Sequence, residues 1–240
     1  MRSVALRLFV IGILLSAKPA LAFSQEPPAK HPRGASSALE PVYAPLAEQI
    51  VSDFQLTEKN GIGIDLGSGP GNLIVELCRR TKHMHWINAD IDSSVFLGFM
   101  NKAHEAGFDG RVSAMHADAT ALPFRDSYAD IIVSRGSFQF WDDLRAAFAE
   151  IYRVLKPGGA AFIGRGFPDN LPLELAAKIR ERQREGGFVP EYDVDETARQ
   201  LKDMAESLKI AGYKIRIPKP AGGDGVNYGI WIEFHKSASK

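Results

Sequence analysis

Apolar and polar positions follow two periods along most of the chain, and from residue 61 onward segments of the two kinds alternate. Short apolar runs such as GIGIDL at 61–66 are typical of buried strands, whereas 142–155 repeats apolar residues every three or four positions, as one face of a helix does. The predicted strands cover 61–66, 85–90, 112–116, 129–134, 159–164, 214–217 and 227–235. The predicted helices cover 72–81, 93–107, 142–155, 173–185 and 195–211.

This alternation predicts an α/β fold. Strands separated by helices of 10–15 residues form crossover units, which build a parallel sheet with helices on both faces. The last two predicted strands leave no room for a helix between them, so we expect them to pair antiparallel. Ligands of such sheets bind at the carboxyl ends of the strands, near the point where strand order reverses.

The beginning of the chain has a different composition. Arg2 and Arg7 are followed by an apolar run at 8–15 and by the A-x-A pattern of residues 20–22. We therefore expect residues 1–22 to be a signal peptide for export to the periplasm or out of the cell, with no membrane attachment after cleavage. If these residues are instead an amphipathic first helix, the protein is cytoplasmic.

Two further segments separate this start from the first strand. Residues 23–38 are rich in Pro, Ser, Gly and Ala, as flexible linkers are. Residues 39–56 predict an amphipathic helix, so the main domain is expected to span 39–240. The apolar positions of this helix share one face: Leu39, Val42, Tyr43, Leu46, Ile50, Val51 and Phe54.

Composition narrows the functional class. The 240 residues include 29 basic and 29 acidic ones, with 45% apolar residues, which excludes a disordered chain and a polytopic membrane protein. Residues 1–22 hold three basic and no acidic residues, so the remaining 218 hold 26 basic against 29 acidic ones. This balance argues against nucleic acid as a partner. The single cysteine, Cys78, excludes an internal disulfide and is expected to be buried, and we expect no metal site.

The glycine-rich stretch between the first strand and helix is the strongest chemical motif. Gly67, Gly69 and Gly71 let the backbone approach a ligand closely, and the following helix directs free N–H groups toward it. The spacing differs from the G-x-G-x-x-G of dinucleotide sites. Asp65, at the end of the strand, would repel a pyrophosphate but can hold an ammonium group.

Two more acidic residues end the next two strands. Asp90 is placed to accept hydrogen bonds from ribose hydroxyls, with Asp92 as the competing candidate or as a helix cap. Asp118 can accept from the exocyclic amine of adenine, and the N–H of Ala119 can donate to a ring nitrogen. The alternative for Asp118 is a turn or helix cap.

Four stretches now support a resemblance to a known family: IDLGSGPGN at 64–72, NADID at 88–92, HADATALPFRDSYADIIVSR at 116–135 and AEIYRVLKPGG at 149–159. Over residues 40–235 the chain resembles class I S-adenosylmethionine-dependent methyltransferases, in particular the small-molecule branch that includes quinone-biosynthesis C-methyltransferases. The resemblance implies a Rossmann-like sheet of seven strands in the order 3-2-1-4-5-7-6, with strand 7 antiparallel. It also implies that 156–159 is a structural turn, at which proline stops the helix and glycine opens the next strand.

The resemblance further implies S-adenosyl-L-methionine as the cofactor. Asp65 would lie near its methionine amino group, Asp90 at its ribose, and Asp118 with Ala119 at its adenine. The implied cofactor-binding residues are Asp65, Gly67, Ser68, Gly69, Gly71, Asp90, Ile91, Asp118, Ala119 and Ser134.

The segment after the fourth strand, 134–141, would border the methyl-transfer site. It lacks the [DN]-P-P-[YF] sequence of DNA amino-methyltransferases and glutamine methyltransferases. Its aromatic residues either line the substrate pocket or pack against the following helix. Helix 173–185 either presents a solvated face or forms a lid over the acceptor site together with helix 39–56. The candidate substrate-binding residues are Tyr43, Arg135, Phe138, Gln139 and Trp141.

The leading hypothesis is therefore methyl transfer from S-adenosylmethionine to a small-molecule acceptor. A general base is needed only if the acceptor must lose a proton, and the sequence identifies no catalytic residue. A binding module without turnover is the first alternative, favoured by the export signal because the cofactor is made in the cytoplasm. Methylation of a protein or RNA is the second. The sequence predicts neither the acceptor nor the oligomeric state.

Overall fold

The structure is a computed structural model that describes residues 37–185, 193–219 and 225–238. The expected signal peptide and all but the end of the expected linker lie outside these residues. Residues 37–39 form a short 3-10 turn ahead of the first helix. Within the described ranges, no helix combines the length and the apolar character that crossing a membrane requires.

The described residues form one seven-stranded sheet in the order β3-β2-β1-β4-β5-β7-β6, as expected. The pairs β1–β2, β1–β4, β2–β3 and β4–β5 are parallel, and β7 is antiparallel to both β5 and β6. The strand bounds are β1 Asn60–Leu66, β2 His83–Asp90, β3 Val112–His116, β4 Ala129–Arg135, β5 Leu155–Gly166, β6 Lys214–Arg216 and β7 Gly229–His235.

The helices fall where the periodicity predicts them, with shifted ends. The predicted helix 195–211 ends at Ser207, because Lys209 adopts a left-handed conformation and the Ile210 N–H bonds to the Ala205 carbonyl, which closes the helix. Their bounds are α1 Glu40–Asp53, α2 Asn72–Arg80, α3 Phe96–Glu105, α4 Leu144–Val154, α5 Leu173–Glu185 and α6 Val194–Ser207.

The expected turn at 156–159 is a bulge inside β5. Helix α4 ends at Val154, and Leu155 is already extended and pairs with Ala129, before the proline is reached. The register then shifts and resumes at Ala160 opposite Ile131. The strand predicted at 159–164 is therefore longer than its apolar run, because pairing with β4 begins four residues earlier.

Both faces of the sheet are buried, as the crossover pattern requires. Ile132 and Ile163 pack with residues of α4 and α6 on one face. Val133 and Phe162 pack with residues of α1, α2 and α3 on the other. Alternate residues of each strand thus fill two separate cores.

Helix α1 packs on one face of the sheet, with its start beside the segment that leaves β5. Its start shares an apolar cluster with Phe167, which follows β5, and with Ile179 of α5. Farther along α1, the Gln49 side chain accepts a hydrogen bond from the Asp169 N–H at 2.8 Å. Arg216 of β6 pairs with both Asp53 and Asp169. These contacts join α1 to the segment that leaves β5.

Candidate active site

The glycine loop leaves the carboxyl end of β1 with three left-handed residues. Gly67, Gly69 and Gly71 have φ angles of +71°, +55° and +72°. A Cβ on Gly67 would lie 2.3 Å from the Cβ of Ser137, whereas a Cβ on Gly69 would meet nothing within 4 Å. The loop is therefore packed at its start and borders open space at Gly69.

The end of β2 fixes this loop. The Asp90 Oδ2 accepts a hydrogen bond from the Gly69 N–H at 2.7 Å, and its Oδ1 accepts one from the Asp92 N–H at 2.9 Å. The Asn88 side-chain amide donates to the Gly69 carbonyl at 2.9 Å. Asp92 instead caps a 3-10 turn by accepting from the Ser94 N–H. Asp90 thus lies against the glycine loop, and Asp92 serves as a cap.

Asp65 is a buried carboxylate directly below the loop. Only 2% of it is exposed. Burial raises the pKa of Asp65 to about 7. The Ser68 side chain opposes this rise by hydrogen bonding to the carboxylate, the negative charge of Asp90 adds to it, and the positive charge of Arg135 opposes it. A cation bound here would favour the ionised form and lower that pKa.

The end of β3 provides the third carboxylate. Asp118 is exposed, and its Oδ1 accepts hydrogen bonds from the N–H and the hydroxyl of Thr120, both at 2.8 Å. Ala119 beside it is buried. Ile91, which follows β2, is 60% exposed. The structure therefore brings an acidic group and an exposed apolar side chain to neighbouring strand ends.

Two serines link the end of β4 to the glycine loop. Ser134 and Ser137 are both buried, with their hydroxyl oxygens 2.5 Å apart. The Ser137 hydroxyl donates to the Leu66 carbonyl at 2.9 Å, so the Ser134 hydroxyl donates to Ser137. Ser137 was not among the sequence candidates. Its partner lies 71 residues away, and no local pattern marks that contact.

The structure brings Tyr43 and Arg135 together, from α1 and the end of β4. The Arg135 guanidinium carbon lies 5.6 Å from the centroid of the Tyr43 ring. Its Nε donates to the Gly166 carbonyl at 3.2 Å. A guanidinium over an aromatic face is stabilised by the ring's negative quadrupole.

The other candidates of this segment point elsewhere. Phe138 is buried in the core, and Trp141 is half-buried with its ring 6.1 Å from that of Phe148 on α4. This is the arrangement that the packing alternative describes. Gln139 is exposed, and its amide donates to the Gly136 carbonyl at 2.7 Å.

The two helices considered as a lid meet in one apolar cluster. It contains Val42 at the start of α1, Ile179 of α5 and Phe167 between β5 and α5. The Arg180 guanidinium lies 4.2 Å from the Phe167 ring and donates twice to the Asn227 carbonyl. Helix α5 therefore packs beside the start of α1.

The residues present fit S-adenosylmethionine on three counts. Asp65 is a buried carboxylate suited to an ammonium group. The loop at Gly69 leaves open the space that a side chain would fill. The Asn88 amide oxygen is a buried polar atom without a hydrogen-bond partner among the described residues, and a bound polar molecule would satisfy it. No group of three or more His, Cys, Asp or Glu residues that could hold a metal ion occurs in the described ranges.

Comparison with known proteins agrees with this geometry. Residues 64–163 match a family model described as a methyltransferase domain. The ubiquinone/menaquinone biosynthesis C-methyltransferase of Vibrio vulnificus is 36% identical over 101 residues, which cover 42% of this chain and 39% of that protein. The chain thus matches about two fifths of the length of this curated relative.

Solved structures match over a longer range. A proposed S-adenosyl-L-methionine-dependent methyltransferase of Methanococcus maripaludis has a TM-score of 0.73 and 28% identity, covering 86% of this chain and 90% of its own. A phosphoethanolamine N-methyltransferase of Haemonchus contortus, solved with S-adenosylhomocysteine, has a TM-score of 0.59 and 15% identity, covering 85% and 57%. Residues 64–163 are therefore a methyltransferase domain, and the chain has the fold of class I S-adenosylmethionine-dependent methyltransferases.

Proposed function

We propose that this chain transfers a methyl group from S-adenosylmethionine to a small-molecule acceptor. The observation that carries the proposal is the arrangement of Asp65, Asp90 and Asp118 at three neighbouring strand ends around the glycine loop. Carboxylates at the ends of three neighbouring strands suit an ammonium group, a ribose and an adenine amine in turn. The match of 64–163 to methyltransferase domains supports the same activity.

Each part of the site has a proposed role. Asp65 holds the ammonium group of the cofactor, and Asp90 accepts from its ribose hydroxyls while remaining bonded to the Gly69 N–H. Asp118 and the Ala119 N–H bind the adenine. The Ile91 side chain, exposed beside Asp90, covers the adenine ring. The glycine loop allows close approach of the backbone.

When bound, S-adenosylmethionine supplies a methyl group on a sulfonium, which the acceptor's lone pair attacks as the electrons of the broken carbon–sulfur bond pass to sulfur. The chain's residues then need to align the acceptor and exclude water. Ser137 holds the acceptor-side segment against the cofactor-side loop. The start of helix α1 and helix α5 pack together through Phe167, beside the segment that leaves β5.

A small acceptor is supported by the curated relatives, whose names assign them to methylation in quinone biosynthesis. The balanced composition and the absence of a [DN]-P-P-[YF] sequence in 134–141 also support it over a nucleic-acid or protein acceptor.

Calorimetry of the full chain with S-adenosylmethionine and S-adenosylhomocysteine tests the cofactor site. Saturable binding of both is expected, and binding of neither contradicts the proposal. Incubation with methyl-labelled cofactor and size-separated lysate fractions then tests transfer. Label in the small-molecule fraction supports the proposal, label in protein or RNA contradicts the acceptor class, and binding without transfer favours a non-catalytic module.

We also propose that residues 1–22 direct export and are removed, and that 23–38 link the mature start to the domain. The positive start, the apolar run and the A-x-A pattern support this. Mass spectrometry of the protein recovered from periplasm and medium is expected to give Phe23 as the first residue. Recovery of the chain with an intact Met1 end from the cytoplasm alone would contradict export.

A further inference from the structure

Two charged residues of α4, Glu150 and Arg153, hold the loop at 117–128 between β3 and β4. They are three residues apart, so they lie on the same side of the helix. Arg153 donates from its Nε to Oε1 of Glu150 and from its Nη2 to Oε2, both at 2.7 Å. These hydrogen bonds keep the pKa of Glu150 below its usual value. A two-point pair of this kind fixes the plane of the guanidinium, so its remaining donors point in set directions.

The remaining donors and acceptor of this pair bind the loop backbone on both sides of Leu122. The Glu150 Oε2 accepts from the Leu122 N–H at 2.8 Å, and the Arg153 Nη2 donates to the Leu122 carbonyl at 3.1 Å. The Arg153 Nη1 donates to the Phe124 carbonyl at 2.8 Å and to the Asp126 carboxylate at 2.7 Å. One ion pair therefore fixes two consecutive peptide groups of the loop.

Leu122 is joined to Asp118 by a tight turn. The N–H of Ala121, the residue before Leu122, donates to the Asp118 carbonyl at 3.1 Å. Within the described ranges the Asp118 carboxylate accepts hydrogen bonds from Thr120 alone, and both end on Oδ1, so Oδ2 is the oxygen that can accept from an adenine amine. A displacement of Leu122 would therefore move the carboxylate proposed to bind the base.

Apolar packing does not provide the same control. The side chains of Leu122 and Phe124 are buried in the core below the loop. Burial determines how closely the loop approaches the core, whereas it imposes no direction on the peptide groups. A hydrogen bond from Asp118 to a bound amine depends on direction as well as distance. The directional contacts of this loop are those that Glu150 and Arg153 make.

We propose that Glu150 and Arg153 are positioning residues for adenine recognition, and that they act through Leu122 on Asp118 and the Ala119 N–H. The inference rests on the proposed methyltransferase function. Because the loop is held before the cofactor binds, less entropy is lost when the base is bound. The pair thereby sets the preference for a base that carries an exocyclic amine.

Comparison of S-adenosylhomocysteine with S-inosylhomocysteine tests this proposal. The second ligand has an oxygen where adenine has its amine, so it gives Asp118 nothing to accept from at that position. Calorimetry of the wild-type chain is expected to show at least tenfold weaker binding of S-inosylhomocysteine, because a site built to accept from an N–H group rejects an analogue without it. Equal affinities would overturn the proposal, since there would be no preference to set.

Glu150→Gln and Arg153→Lys then test the pair. Both variants keep nearly the original size, and neither can form the two-point ion pair. Each is expected to reduce the preference for S-adenosylhomocysteine at least threefold, while changing S-inosylhomocysteine affinity less than twofold. A general loss of stability would reduce both affinities by the same factor, because it lowers the folded fraction. An unchanged ratio of the two affinities would overturn the proposal, and if one variant does not fold, the ratio in the other decides.

Arg199→Lys is the matched control. Arg199 also donates to a glutamate three residues before it, Glu196, on an exposed part of α6. This variant is expected to keep the wild-type preference for S-adenosylhomocysteine. A loss of preference as large as that in Arg153→Lys would overturn the assignment of the effect to the loop at 117–128.

The order of measurements separates this inference from the function on which it rests. If the wild-type chain does not bind S-adenosylhomocysteine, the proposed function fails and the positioning role fails with it. If the wild-type chain binds S-adenosylhomocysteine with the expected preference and both variants retain that preference, only the positioning role fails.

Discussion

Ser137 occupies the position that a side chain on Gly67 would need. A Cβ built on Gly67 lies 2.3 Å from the Cβ of Ser137, and the Ser137 hydroxyl donates at 2.9 Å to the carbonyl of Leu66, the residue before Gly67. The segment after β4 therefore contacts the glycine loop, and is hydrogen-bonded to the end of β1, through the single residue Ser137. Residues 134–141 and the glycine loop are thus positioned relative to each other through Ser137.

Ser137→Ala is expected to weaken cofactor binding while leaving the chain folded. The change leaves the buried Leu66 carbonyl without its partner, which costs about 1–3 kcal/mol. Calorimetry with S-adenosylhomocysteine is expected to show a loss of affinity of about threefold to tenfold, since part of this cost falls on the loop. Unchanged affinity would show that the bond does not position the loop.

Ser134→Ala provides the control for that variant. Ser134 donates only into the Ser137 hydroxyl, so its removal leaves the bond to Leu66 in place. We expect Ser134→Ala to reduce S-adenosylhomocysteine affinity less than Ser137→Ala does. The double variant is expected to have the affinity of Ser137→Ala alone. Additive losses in a double-mutant cycle would contradict the chain of donation from Ser134 through Ser137 to Leu66.

Gly67→Ala is expected to be among the most destabilising changes in the loop. The new Cβ would clash with Ser137 and would sit at a φ of +71°, where alanine is strained by about 1–2 kcal/mol. Urea denaturation should show that the free energy of unfolding falls by more than about 2 kcal/mol. Adding Ser137→Gly removes the clash but not the backbone strain, so we expect it to restore only part of the lost free energy of unfolding. Complete restoration, or none, would contradict the assignment of the loss to both causes.

Asp65→Asn is expected to stabilise the ligand-free protein and to weaken cofactor binding. The rise of the Asp65 pKa from 3.8 to about 7 means that ionisation opposes folding, by about 4 kcal/mol at 1.4 kcal/mol per unit. The stability that protonated Asp65 contributes is fully present below about pH 4 and is lost as pH rises through about 7. The increase in the free energy of unfolding caused by Asp65→Asn should therefore grow as pH rises from about 4 through about 7, and should be complete by pH 8.

Urea denaturation at pH 4, 6 and 8 measures this gain, and calorimetry at pH 8 measures the loss of S-adenosylhomocysteine affinity. Asp203→Asn, at an exposed position of α6, is the matched control and should change neither quantity. A gain that is independent of pH would show that Asp65 is not the titrating group.

Asp90→Ala and Asp92→Ala are expected to differ. Asp90 fixes the Gly69 N–H and is the proposed ribose ligand, so its loss should weaken S-adenosylhomocysteine binding at least tenfold, or about 1.4 kcal/mol. Asp92 caps a short turn, so Asp92→Ala should lower stability by about 0.5–1 kcal/mol and leave the affinity within twofold. The reverse pattern in calorimetry would assign the ribose to Asp92.

Cys78 is expected to react with iodoacetamide only when the protein unfolds. Burial raises the pKa of the Cys78 thiol to about 11, so at pH 8 little thiolate is present, and the side chain is 1% exposed. As the chain has one cysteine, mass spectrometry gives a single labelling rate. Labelling should be at least about a hundredfold slower in the native state than in urea. Comparable rates would contradict the burial of Cys78.

The local pattern was sufficient for the elements, whereas their order in the sheet was implied by the resemblance to class I methyltransferases. Apolar periodicity depends on which face of a segment is buried, and both faces of this sheet are covered, so strands such as 61–66 and 129–134 stand out as apolar runs. Helix ends were less accurate, since the end of α6 depends on a left-handed residue at Lys209 that no glycine marks. The early start of β5 depends on a pairing with β4.

By itself the sequence predicted that Asp65, Asp90 and Asp118 lie at one edge of the sheet, because the carboxyl ends of parallel strands share that edge. Only the tertiary structure decided that Ser137 supports the glycine loop, that Tyr43 covers Arg135, and that Phe138 turns into the core. These relationships join segments far apart in the chain. Each depends on the packing of side chains between elements, which the period of a single element does not encode.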